Sequence, residues 1–159
     1  RVFLPALDPR ALEEVSPRPR PEPPAGKKRT ILVADDDPDV LELTSTTLES
    51  HGYQVLQARD GPEALEIFAE ESDHIAGVLC DHDMPILDGL GTLRAMERMA
   101  PDVKRLLITG LPGFTPALDS VEILRKPWNP GELLEAVGAM LVAREDTPPG
   151  GIRIPEPRP

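Results

Sequence analysis

Short apolar runs alternate along this chain with segments of helical periodicity, and no other feature narrows the possible folds as far. Residues 31–34 (Ile-Leu-Val-Ala) are apolar on both faces, as a central strand of a parallel sheet requires. Further strands are predicted at 53–58, 75–80, 104–109 and 121–125. Between them the spacing predicts helices over 38–49, from Asp60-Gly61-Pro62 to about residue 71, and over 89–99. The last helix has the clearest start, with Asn129 as N-cap, Pro130 in first position and Glu132 three residues after the cap. One link is weak. Residues 110–120 contain Gly110, Pro112, Gly113 and Pro116, so the helix due between strands four and five is short or missing. The alternation specifies an α/β fold with a five-stranded parallel sheet covered on both sides.

Proline marks the borders of this unit. Of 20 prolines, seven fall in residues 1–29 and five in 144–159. Residues 16–24 read as an extended linker and 144–159 as a disordered Pro-rich tail, leaving 30–143 as one domain able to bury a core. That domain carries 7 basic and 21 acidic side chains, a net charge of −14. Such a surface repels phosphate backbones and anionic lipid, so neither nucleic acid nor membrane is expected as a partner of this segment. No apolar run is long enough to span a bilayer. The first residue is Arg, not Met, and residues 1–29 are read as the end of a preceding domain plus a Pro-rich linker. The single cysteine, Cys80, excludes an internal disulfide and fits a cytoplasmic location, which a membrane-associated parent chain would also allow.

In a parallel α/β sheet, functional groups collect at the carboxyl ends of the strands. Strand one delivers Asp35, Asp36 and Asp37; strand three delivers Asp81, followed by Asp83; strand four delivers Thr109 and strand five Lys126. Carboxylates meeting at one edge repel and raise one another's pKa unless a cation neutralises them. All-oxygen ligands with room for water suit Mg2+. A hydroxyl and an ammonium beside that ion suit a phosphoryl group, and Asp81 is the natural nucleophile to carry it. Each part also has a plain explanation: an acidic run complements a helix N-terminus, and a lysine before proline is commonly a surface residue. Chance convergence of all four groups on one edge is the less economical account.

The stretches 30–38 (TILVADDDP), 78–89 (VLCDHDMPILDG), 106–110 (LLITG) and 123–127 (ILRKP) resemble the receiver domain of two-component response regulators. The resemblance implies a flavodoxin-like, doubly wound five-stranded parallel sheet of order 2-1-3-4-5, in which the fourth helix is short or missing here. It implies that Asp81 accepts a phosphoryl group from a phosphohistidine. Asp36 and Asp81 would bind Mg2+ directly, with the backbone carbonyl of Asp83, and Asp35 through water. Thr109 would bond the phosphoryl oxygens, and Lys126 would pair with their charge. The implied partner is a histidine kinase dimerisation domain or a histidine phosphotransfer protein. Thr109 and residue 123 form the usual switch, but residue 123, commonly aromatic, is Ile123 here. The shortened 110–120 stretch and the residues 1–5 (RVFLP), similar to the last strand of a kinase ATP-binding domain, point to the receiver of a hybrid histidine kinase.

Two other functions compete. Asp81-His82-Asp83 also fits the D-x-D signature of haloacid-dehalogenase-type Mg-dependent phosphatases, which work through an aspartyl-phosphate; there, however, the signature follows the first strand. A binding-only receiver would lack part of the acceptor set, and this chain lacks none. Whether the segment counts as an enzyme stays open, since an acceptor of this kind assists its own phosphorylation and dephosphorylation. The three histidines lie in separate segments and read as loop residues, and Cys80 reads as a small buried hydrophobe.

Overall fold

The computed structural model describes residues 28–118 and 120–142. Five parallel strands, β1 (Thr30–Ala34), β2 (Gln54–Ala58), β3 (Ile75–Asp81), β4 (Lys104–Thr109) and β5 (Val121–Arg125), form one sheet in the order β2-β1-β3-β4-β5. The flavodoxin-like order expected from the sequence is the one found. Four helices accompany them: α1 (Pro38–Glu49), α2 (Gly61–Glu71), α3 (Gly89–Met99) and α4 (Pro130–Val142). Among the described residues no helix joins β4 to β5, as the prolines and glycines of that stretch predicted. The expectations for residues 1–27 and 143–159 lie outside the described residues.

Side chains alternate across the sheet and build two cores. Ile31, Val33, Leu106 and Ile108 pack with Leu41 and Leu48 of α1 and Leu133, Val137 and Met140 of α4. Leu32, Val78, Cys80 and Leu107 point the other way, onto Ala64 and Phe68 of α2 and Leu93 and Met96 of α3. A Cβ at Gly77 would lie 2.5 Å from the end of the Met140 side chain of α4, which would have to shift to admit it.

Helix starts follow the caps in the sequence. Asp37 accepts hydrogen bonds from the amides of Asp39 and Val40 at 3.0 and 3.4 Å, and Asp60 accepts from that of Glu63 at 2.8 Å. Asn129 and Glu132 form a reciprocal capping box, each side chain accepting from the other's amide at 2.9 Å. Two strands differ slightly from expectation. Tyr53 belongs to the turn, its amide donating to the Leu48 carbonyl, so β2 starts one residue later. β3 runs one residue further and ends on Asp81 itself.

Candidate functional site

The carboxyl ends of β1, β3, β4 and β5 bring the predicted residues to one edge. The three acids after β1 separate by role. Asp35 is buried, its amide still pairing with the Ala58 carbonyl at 3.2 Å and its Oδ1 accepting from the Asp37 amide at 2.9 Å. Asp36 faces solvent, and Asp37 is the cap of α1. On the neighbouring strand Asp81 is 2% exposed. Asp35, Asp36 and Asp81 each present a carboxylate oxygen, and these lie within 4.8 Å of one another.

Asp81 is held from two sides. Its Oδ2 accepts from the Asp83 amide at 3.1 Å, and its Oδ1 lies 2.6 Å from Lys126 Nζ. Thr109 is buried at the end of β4, with its Oγ1 accepting from the Leu111 amide at 3.1 Å. The Asp83 side chain turns outward to His82 Nδ1 at 3.1 Å. Behind the acceptor strand, Gly89 makes the loop possible, since a Cβ there would collide with the carbonyl of Asp81. Its amide donates instead to the His82 carbonyl at 3.0 Å. Ile86, at the tip of this loop, sits in the left-handed region with φ 73° and is mostly exposed.

The electrostatics follow from this crowding. Burial pushes the Asp35 carboxyl up to about 6, and the charges of Asp81 and Asp36 add to that. The Asp37 amide and Lys126 pull the other way without prevailing. Burial lowers the Lys126 ammonium, but the hydrogen bond and charge of Asp81 outweigh it and hold the group above its ordinary value. Apart from the ion pair with Lys126, the buried Asp81 Oδ1 has no hydrogen-bond partner among the described residues. An all-oxygen cluster with excess negative charge and a spare buried lone pair fits a small hard dication such as Mg2+.

Some neighbours were not legible in the sequence. His82, read as an ordinary loop residue, has a largely covered side chain whose ring meets Phe114 edge-on at 4.8 Å. Arg125 of β5 donates to the carbonyls of Leu111 and Phe114, and Arg94 of α3 to that of Ala117. Ile123 is half-buried, opposite Leu107 of β4. Val40 and Leu43 of α1 line a groove of about 420 Å3 together with Lys126, Pro127 and Trp128. Only the fixed spacing of the acids and the lysine carried a readable signal; these contacts join positions with no common period.

Comparison with known proteins converges on one family. A family model described as the response regulator receiver domain matches residues 31–138. The chain is 36% identical over 126 residues to the response regulator MprA of Mycolicibacterium vanbaalenii, a match covering 76% of this chain and 53% of that protein. It is 38% identical over 86 residues to the CAI-1 autoinducer sensor kinase/phosphatase CqsS of Vibrio cholerae, covering 54% of this chain and 12% of the kinase. A receiver domain crystal structure from Clostridium thermocellum superposes with a TM-score of 0.68 at 30% identity, covering 74% of this chain and 97% of that one. The chain spans about half the length of curated relatives such as MprA.

Proposed function

This chain belongs to the response regulator receiver domain family, and on that premise we propose that Asp81 accepts a phosphoryl group from a phosphohistidine. The observation that carries this reading is the buried Asp81 carboxylate between Lys126 and the acids of β1. A carboxylate oxygen of Asp81 attacks the phosphorus in line, the P–N bond breaks, and the imidazole leaves with the bond's electron pair. Lys126 balances charge on the incoming phosphoryl oxygens, and the Thr109 hydroxyl donates to one of them. Asp35, Asp36 and Asp81, with the backbone carbonyl of Asp83, would hold Mg2+, which supplies further charge stabilisation when bound. The near-complete burial of Asp81 restricts water at the reacting carboxylate.

The donor's approach is best served by the groove beside Lys126. A histidine-bearing partner helix laid against Val40, Leu43 and Trp128 would bring its imidazole to the mouth of the site. Similarity to a sensor kinase supports a hybrid-kinase setting, and the donor is then the kinase's own dimerisation domain or a phosphotransfer protein. The dehalogenase-type alternative loses its ground, because the D-x-D here follows the third strand and the other acids follow the first.

The test is intact mass after incubation with Mg2+ and acetyl phosphate. One phosphoryl adduct is expected, absent in Asp81→Asn and absent with EDTA. If hydrolysis is fast, Asp81-dependent phosphate release takes the adduct's place. An adduct that survives in Asp81→Asn, or neither adduct nor release, overturns the proposal.

A further inference from the structure

The groove between α1 and the loop after β5 joins an apolar lining to acidic neighbours. Val40, Leu43, Pro127 and Trp128 line it, and its one lining cation, Lys126, is already paired with Asp81 at 2.6 Å. Asp39 and Glu42, both exposed, immediately precede the two lining residues of α1. Trp128 is only partly buried against the core. Such a surface suits an apolar segment that carries positive charge. An aromatic-lined groove favours polyproline in particular, whose extended form is set before binding and so loses little entropy. The chain itself supplies that chemistry. Residues 17–24 hold proline at 17, 19, 21, 23 and 24, with Arg18 and Arg20 between them.

We infer that residues 17–24 of this chain dock in the groove, prolines against Trp128 and Leu43 and arginines toward Asp39 and Glu42. Charge decides between the two Pro-rich ends. Residues 16–29 carry five cations and one acid, a net +4, whereas 143–159 carry three of each, and the domain they flank is strongly negative. Reach permits the contact. Arg29 is fixed at the amino edge of the sheet, its carbonyl accepting from the Gln54 amide at 3.0 Å. From there β1 rises about 17 Å to the carboxyl edge, while the chain from Pro17 to Arg29 extends to about 40 Å. Tethering supplies an effective concentration of about 1 mM, so a contact with a dissociation constant of only about 0.1 mM is ~90% filled. This docking does not depend on the phosphoacceptor reading. Where a donor helix needs the same groove, linker and donor exclude one another.

Trp128 is the only tryptophan of the chain and lines the groove, so its fluorescence in the full chain, with acrylamide as quencher, tests this. Arg18→Glu with Arg20→Glu should raise the quenching constant about twofold or more. Glu42→Lys, at an exposed position of α1, should raise it as well. A peptide of residues 15–25 should shield Trp128 again in the double variant, saturating at about 1 mM or below. The same peptide with Glu in place of both arginines should not. Equal quenching in the native chain and the double variant overturns the inference. So does shielding that falls on dilution, which would seat a second copy in the groove. Shielding kept in the double variant but lost in Arg153→Glu with Arg158→Glu also overturns it, and would seat the other Pro-rich end there.

Discussion

Within the run Asp35-Asp36-Asp37, three identical side chains end in three environments. Asp37 caps a helix, Asp36 meets water, and Asp35 is buried with a carboxyl pushed up to about 6. Unfolding returns Asp35 to its ordinary value of 3.8, so between these values the folded chain holds a proton that the unfolded chain releases. Its contribution to stability is therefore greatest below about pH 4 and is lost as the pH rises through 6. Asp35→Asn should stabilise the metal-free chain by about 2 kcal/mol at neutral pH and by much less near pH 4. Urea unfolding with EDTA at the two pH values checks this, and a gap independent of pH would contradict it. The sequence announced that acids gather here. It did not announce which acid is buried, because that depends on the β2 carbonyl that receives the Asp35 amide.

At the scale of elements, punctuation was the legible part. The cap at Asn129 and the openings at Pro38 and Asp60-Gly61-Pro62 marked helix starts because such signals are local; the capping hydrogen bonds of Asp37, Asp60 and Asn129 reach three residues at most. The gap between β4 and β5 was equally readable, since Pro112 and Pro116 lack amides and Gly113 adopts φ 68°. What fills that gap was not readable: Arg125 looks like an ordinary cation on an edge strand until its two carbonyl partners are placed 14 and 11 residues upstream. The junction of β3 with α3 gives the sharpest mutational expectation. Gly89→Ala would drive a methyl into the Asp81 carbonyl. The backbone has to move, so a loss of about 2–4 kcal/mol is expected in chemical unfolding. Acetyl-phosphate labelling should fall at least tenfold, because the shifted atoms belong to the proposed acceptor residue.

For the molecule as a whole, strand order does what sequence spacing cannot. β3 lies beside β1, so Asp81 comes to the acids at 35 and 36 although a strand and two helices separate them in the chain. The same order puts the start of α1 against the loop after β5, and so creates the largely apolar groove that Lys126 also lines. Leu43 lines that groove, about half exposed, and is no part of the carboxylate cluster. Leu43→Glu should slow phosphoryl transfer from a histidine-bearing partner about tenfold or more while leaving labelling by acetyl phosphate unchanged. Equal loss with both donors would show that the substitution damaged the site and not the approach.

The uneven covering of the sheet has one more consequence. β1 and β3 are sealed on both faces, whereas β5 sits at an edge with residues 111–118 in place of a preceding helix, and Val121 and Ile123 stay half-buried. Burial is thus distributed unequally across the sheet. β5 still gives Leu124 to one core, and Phe114 and Val121 pack against the other. Lys126 follows that edge strand, whereas Asp35, Asp36 and Asp81 follow or end β1 and β3. The cation of the site thus rests on the less covered margin of the sheet, and the acids on its doubly covered interior.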